Sequence, residues 1–377
     1  MYYILEFALY KMIRSTKVSI RFTNRGKQEK LSIFLAEYRR VLSDIVNMIW
    51  EEKKIPVLLP KQYTGKVKTW LSARAIQCAG KQASAIVRGA KKKHEQRLWK
   101  LTQMQKEGAD TKDLECLISK KIPTKPNIKW LPAELDGRFV TFDLQNSTSF
   151  DGWMNLGSLG NGLKISLPFR RHKHFNRLFA KGAMTKGIRL GNEATLTFQI
   201  PVVTKTTGNT LGVDIGLTNC IATSDGKLSG PDIHGHTLIS ITKKLTRCRK
   251  GSRGFKRCAT HRKNHINWVV NQLNLNGIRE LRRENIKHLR RGRLTSRLLS
   301  HWTYSEIVDK LDKFCEEQGV LVRKINPAYT SQRCSACNTL GQRRGQVFTC
   351  SCGSRNADLN AALNIGESIV SRENVFL

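Results

Sequence analysis

The sequence predicts a multidomain α/β protein on three observations. The chain has 377 residues, room for two or three domains with sizeable cores. Helical and strand periodicities alternate in blocks along it. Near the C-terminus, Cys334-x-x-Cys337 and Cys350-x-Cys352 precede Asn356-Ala-Asp358-Leu-Asn360-Ala-Ala-Leu-Asn364-Ile365, so a cysteine knot adjoins an acidic residue at the head of a helix.

Taken in order, Lys17 to Phe22 alternates like a half-buried strand and Asn24-Arg-Gly26 breaks it. Leu31 to Glu51 carries apolar residues at the i, i+3, i+4 spacing of an amphipathic helix, and Ser72 to Met104 continues in the same style. Pro123, Pro126 and Pro132 then mark a loop, after which Phe139–Leu144, Gly162–Leu167 and Ala194–Ile200 read as strands. These strands and the first one suit one small barrel with the helical stretch inserted into it. Beyond a boundary at Thr204–Gly208, Thr210 to Asn219 reads as a strand with a glycine-relaxed break, running into a second strand at Cys220 to Ser224 ended by the Asp225-Gly226 turn. Thr237 to Arg283 is basic and helical in pattern, Ser305 to Gln318 an amphipathic helix, and Val320 to Ile325 a buried strand.

Charge narrows the function. Sixty-six Lys and Arg against 29 Asp and Glu leave +37, spread from end to end rather than gathered in a tail. On a folded surface that excess needs a polyanion, and nucleic acid fits better than a membrane, since no apolar run of about 18 residues exists. Basic residues interleave with aromatics at Lys91–Trp99, Phe169–Phe175 and Arg249–Arg262, a pattern suited to phosphates and unpaired bases as well as to a solvated charged face.

Met1 to Ile13 is apolar but lacks a basic start and a cleavage site, so export is not expected, and Met12 offers a cleaner start to the first strand. Cys78, Cys116, Cys220, Cys248, Cys258 and Cys315 are scattered, which suits a reducing cytoplasm. Cys334, Cys337, Cys350 and Cys352 have the spacing of a closed, tetrahedral structural zinc site, with Gly353 relieving the tight second knuckle. His261 and His265 stand at i, i+4 but have no evident third ligand in the sequence, which favours a solvated or nucleic-acid-facing role.

Asp214 sits within an apolar strand between Gly212 and Gly216, where backbone can let a ligand approach; a turn or cap aspartate is the alternative. Asp358 precedes an apolar-periodic run and reads either as a helix N-cap or as a metal ligand. Two acids at element edges in a phosphate-binding protein are what paired Mg²⁺ ions require, since hard oxygen ligands suit that ion.

Val213-Asp214-Ile-Gly-Leu-Thr-Asn219, Asn326-Pro-Ala-Tyr-Thr-Ser-Gln332 with the cysteines, and Asn356 to Ile365 together resemble the transposon-encoded TnpB proteins and the compact type V CRISPR effectors, closely over residues 210–370. The resemblance implies a ribonuclease H-like (RuvC) nuclease domain at 206–325 and 356–377, with the basic helical segment 237–283 inside it and a zinc-ribbon insert at 326–355. It also implies a wedge barrel at 1–28 and 135–205, holding a helical recognition insert at 29–134. Asp214 and Asp358 match the first and third catalytic acids. Glu284, in the segment running to Leu289 and followed by Arg290–Arg293, matches the second, with Glu280 its rival; Gly277 to Arg283, which the family would make a hydrophobic strand, is polar and helix-like here. The implied activity is an RNA-guided, two-Mg²⁺ DNA endonuclease, with guide RNA and a double-stranded DNA target carrying a short flanking motif as partners. A nuclease-deficient guided DNA-binding protein and an unguided zinc-ribbon nucleic-acid binder are the competing readings.

Overall fold

A computed structural model describes residues 9–144, 149–286 and 296–368. Residues 287–289 and the Arg290–Arg293 run lie outside the described residues. The chain forms two compact units, Ile13–Ile200 and Pro201–Leu377, the latter joined by the residues through Met12.

The first strand is β1 (Leu9–Ser19), which starts ahead of Met12 and whose Met12 side chain is buried. The residues just before Met12 are therefore part of the strand rather than a dispensable extension. Asn24, whose Oδ1 accepts from Lys27 N at 3.1 Å, caps α1 (Arg25–Ile49). The short α2 (Lys61–Thr64) leads to α3 (Ala73–Lys106), capped by Ser72, and then to α4 (Lys112–Lys120). α1 packs on α3 along the predicted apolar face, and the buried Tyr38 hydroxyl donates to Gln82 Oε1 at 3.1 Å. The strands that follow are β2 (Ala133–Leu135), β3 (Val140–Asp143), β4 (Gly152–Leu156) and β5 (Ile165–Phe169), then, after α5 (Lys173–Lys181), β6 (Ala183–Leu190) and β7 (Glu193–Val203). Among the described residues their ladders make two sheets, β1-β7-β6-β2 and β3-β4-β5, rather than one closed ladder.

Phe169 and Phe175, expected at a nucleic-acid surface, are fully buried in this unit's core. Basic neighbours do not make an aromatic accessible; here the apolar sides of β5 and α5 turn inward. Trp99, by contrast, is 67% exposed.

The second unit is built on a mixed sheet of β8 (Asn209–Asp214), β9 (Ala222–Thr223), β10 (Ile278–Glu284) and β11 (Leu321–Ile325), in the order β11-β10-β8-β9. β8 runs parallel to β10 and antiparallel to β9, and β10 runs parallel to β11. Helices α6 (Leu238–Arg247), α7 (Arg253–Asn271), the short α8 (Arg297–His301) and α9 (Tyr304–Glu317) follow β9 and flank β10 in sequence. Ile266, Val269, Val270, Ile307 and Leu311 from α7 and α9 pack with Leu211, Val213 and Leu281 of the sheet into one core. Residues 326–356 hold a small antiparallel sheet of β12 (Gln342–Arg344), β13 (Val347–Cys350) and β14 (Gly353–Asn356), which leads into α10 (Ala357–Glu367).

Two expectations are corrected. Gly277 to Arg283, read as helix-like, supplies most of β10, the second strand from one edge of the four-stranded sheet, because Arg279 is exposed and Glu280, Arg282 and Arg283 each have a partner. Glu280 accepts from Arg282 Nε and Arg323 Nε at 2.7 Å each, Arg282 donates onward to the Gly366 and Ser368 carbonyls at 2.9 and 2.7 Å, and Arg283 makes a bidentate pair with Asp312 at 2.9 and 2.6 Å. Burial works against ionisation of Glu280, yet the two arginines hold its carboxyl below the ordinary range. β11, expected to be buried, is an edge strand with Leu321 exposed and Ile325 buried.

Candidate active site and metal centre

Asp214 and Glu284 stand at the carboxyl ends of neighbouring parallel strands. The register pairs Val213 with Arg283, so the residues one step further on, the two acids, emerge side by side where both strands stop. Asp358 arrives in the first turn of α10, beyond the cap. The N-cap is Asn356, whose Oδ1 accepts from Asp358 N at 3.0 Å and Leu359 N at 3.1 Å, so capping does not account for the Asp358 carboxylate. That side chain is buried and lies close enough to Asp214 for its charge to act on it.

Gly212 explains how α10 comes so close to β8. A Cβ there would overlap the Ala362 carbonyl and the Gly366 amide, so the glycine serves the helix rather than a ligand. The small faces of Ala361 and Ala362, both buried, complete the contact.

The electrostatics follow from the geometry. Burial, with the charges of Glu284 and Asp358 close by, pushes the Asp214 carboxyl up to about 7. Glu284 is also raised by burial, offset in part by the hydrogen bond it accepts from the Thr330 hydroxyl. Asp358 is held at both oxygens: Asn219 Nδ2 donates to Oδ2 at 2.8 Å and Arg343 Nη2 to Oδ1 at 2.5 Å. Tyr304 donates to the Glu284 backbone carbonyl at 3.2 Å, fixing the strand end behind the acid. Glu280, the rival for the second acidic position, is committed to its two arginines.

Arg343, Thr330 and Asn219 escaped the sequence reading. Asn219 and Thr330 lie inside the motifs that carry the family resemblance, but Arg343 sits in the spacer between the cysteine pairs, where nothing in the sequence marks one arginine out from another.

The four cysteines come together as expected. Their sulfurs all lie within 4.8 Å of one another, with Cys334–Cys352 at 3.6 Å, Cys337–Cys350 at 3.8 Å and Cys350–Cys352 at 3.2 Å. Zn–S bonds of about 2.3 Å in a tetrahedron place sulfurs about 3.8 Å apart, so the donor set fits that ion. Hydrogen bonds from the Thr339 hydroxyl and backbone lower the Cys337 thiol to about 6, toward the thiolate a metal binds. Gly353, at φ +125°, makes the turn the short second pair requires.

α10 ties this knot to the acids. One helical turn apart, Asn360 and Asn364 clamp the first knuckle: Asn360 Nδ2 donates to the Arg333 carbonyl at 2.7 Å while its Oδ1 accepts from Ser335 N at 2.8 Å, and Asn364 Nδ2 reaches the Thr330 and Arg333 carbonyls at 2.8 and 2.7 Å. The repeated asparagines of the motif are thus brackets between the cysteine knot and the helix carrying Asp358.

The histidine expectation is corrected. The His265 side chain is 1% exposed, and both it and His261 face Asp232 rather than solvent alone.

Comparison with known proteins adds the following. Residues 304–365 match the family model described as Cas12f1-like, TNB domain. A protein named CRISPR-associated endodeoxyribonuclease Cas12f1 from Sulfoacidibacillus thermotolerans is 36% identical over 145 residues, 37% of this chain and 33% of that protein. One of the same name from Syntrophomonas palmitatica is 29% identical over 140 residues, 36% of this chain and 28% of its own. The matched segment therefore spans about a third of these relatives' length. A solved structure of the mini-RNA-guided endonuclease CRISPR-Cas_phi3 superposes with a TM-score of 0.57 over 94% of this chain and 92% of that one at 11% identity, a likeness of fold. The family likeness is therefore local, carried by residues 304–365, while the likeness over most of the chain is one of fold alone.

Proposed function

We propose that this chain is an RNA-guided DNA endonuclease whose RuvC-like site is formed by Asp214, Glu284 and Asp358. The observation that carries the reading is the meeting of three carboxylates from β8, β10 and α10 in a protein of net charge +37. A buried carboxyl lifted to about 7 by burial and two acidic neighbours is short of positive charge, and the all-oxygen donor set suits a hard divalent cation. Asp214, Glu284 and Asp358 would hold Mg²⁺, which when bound supplies charge neutralisation at the phosphodiester and an activated water. Around them, Thr330 orients Glu284, Asn219 orients Asp358, and Arg343 offers a guanidinium at the height of the acids.

The sheet order, with acids at the ends of two adjacent parallel strands, supports a ribonuclease H-like assignment for 206–325 and 356–377. On the same reading 326–355 is a zinc ribbon held by Cys334, Cys337, Cys350 and Cys352, 29–134 a helical recognition insert, and 1–28 with 135–205 the wedge. Structured guide RNA and double-stranded DNA are the polyanions that the charge calls for, with target choice left to base pairing. The relatives' name, CRISPR-associated endodeoxyribonuclease, supports the activity. Among the described residues no helix is long and apolar enough to cross a membrane, and a cytoplasmic location agrees with cysteines that form no disulfide.

One observation favours a silent nuclease: Arg343 occupies an Asp358 oxygen that an ion would use. A plasmid-cleavage assay with co-purified RNA and Mg²⁺ decides. Cleavage lost in Asp214→Ala supports the nuclease, guided binding without cleavage supports the silent form, and binding independent of RNA overturns both.

A further inference from the structure

Outside the two sites above, the second unit gathers another set of metal-type side chains that the endonuclease reading does not use. The turn after β9 carries Asp232 and His236, and α7 carries His261 and His265 one helical turn apart. Asp232 is held rigidly: its Oδ1 accepts from the backbone N–H of His234 and of His236, both at 2.9 Å. That leaves Oδ2 facing α7, where His261 Nε2 lies 3.8 Å away and His265 Nδ1 3.7 Å away.

Those spacings are too long for hydrogen bonds, which close at about 2.7 to 3.2 Å. Donors sharing a tetrahedral zinc at about 2.0 to 2.1 Å stand roughly 3.4 Å apart, so each histidine lies a few tenths of an ångström further from Asp232 Oδ2 than ligation needs, while the three donors do not all lie within 4.8 Å of one another. The burial pattern agrees. The side chains of His265 and Asp232 are 1% and 13% exposed, and His265 Nδ1 is buried with no hydrogen-bond partner, a cost that a bound cation removes. His236 packs edge-on against His261 with ring centroids 4.9 Å apart, at the solvent side of the cluster.

We propose that Asp232, His261 and His265, with His236 at the rim, form a second zinc-type cation site that fastens the turn after β9 to α7. Imidazole nitrogen with one carboxylate oxygen is a donor set for Zn²⁺ rather than for Mg²⁺ or Ca²⁺. The backbone amides on Oδ1 act as an outer shell, fixing the ligand oxygen's direction. The cysteine sulfurs are the set whose donor atoms already lie within 4.8 Å of one another among the described residues. Binding here therefore requires His261, whose side chain is 39% exposed and has room to turn, to close on the ion.

The test is metal content of the full-length protein loaded with Zn²⁺ and freed of excess by gel filtration. About two zinc ions per chain are expected in the wild type, about one in His261→Ala, and about one in Cys334→Ser. Substitution with Co²⁺ tells the two sites apart: the thiolate set gives intense sulfur-to-metal charge-transfer bands, and His261→Ala should leave these intact while removing the weak visible bands of the nitrogen–oxygen set. His261 is the variant of choice because it lies at the rim and its loss need not disturb folding; Asp232→Asn is the second. A wild type that binds a single zinc, with cobalt bands unchanged by either substitution, overturns the proposal.

Discussion

The Arg343 guanidinium lies 2.5 Å from Asp358 Oδ1, which joins the small sheet of the cysteine knot directly to the third acid of the candidate active site. A charge-assisted hydrogen bond of that kind stabilises by about 1.5 to 3 kcal/mol, and a cation arriving at the same oxygen has to displace it. Arg343→Ala should lower the Mg²⁺ concentration for half-maximal cleavage by about tenfold, read from a metal titration of plasmid cleavage. A raised or unchanged midpoint would mean the arginine does not compete with the ion.

Asp214→Asn removes the acid around which the other two are arranged. Cleavage should fall by at least about a thousandfold while binding of guide RNA and target survives, measured by plasmid cleavage beside a gel shift. Cleavage that persists in this variant would refute the assignment.

The pH dependence of the metal-free protein should carry the signature of Asp214. Its carboxyl titrates in the fold at about 7 against an ordinary 3.8, so the fold favours the protonated form. That contribution is complete below about pH 4 and is lost as pH rises through about 7. Thermal unfolding with chelator present should therefore show the wild type losing more stability than Asp214→Asn between those limits, by a few degrees. Added Mg²⁺ should raise the melting temperature more at pH 8 than at pH 6, because the competing proton has left. Parallel curves for the two proteins would remove the burial argument.

Gly212→Ala would set a methyl group against backbone of α10, which cannot give way as a side-chain tip can. A loss of at least about 2 kcal/mol is expected by denaturant unfolding, together with weaker cleavage, because α10 carries Asp358. An unperturbed variant would show that the helix sits further from β8.

Removing the cysteine site tests its link to the acids. Cys334→Ser should release the zinc, measurable with a colorimetric chelator, and loosen the 326–356 segment toward limited proteolysis. Because Asn360 and Asn364 clamp that segment to α10, cleavage should drop as well even though no acid has changed. Full cleavage with the zinc gone would sever that link.

Much of the fold was legible in the sequence. The apolar faces of α1, α3 and α9, the Asp225-Gly226 turn and the four cysteines are local patterns, written in residues within a few positions of one another, and the structure follows them. The acids Asp214 and Asp358 were legible as candidates for the same reason, each with an uncommon local setting. What the sequence by itself determined was thus these local elements, the cysteine cluster and the excess of positive charge.

Tertiary structure decided the rest. β10 looked helical because Glu280, Arg282 and Arg283 spoil any apolar alternation, and only partners far along the chain, Arg323, Asp312 and the end of α10, make a strand of them affordable in burial terms. The same holds for Arg343, which became distinct from its neighbours only when β12 brought it onto Asp358, and for His265, which found Asp232 across a turn. Periodicity reports which face of an element is apolar, whereas pairing of charges is a property of two segments at once, and no single segment carries it.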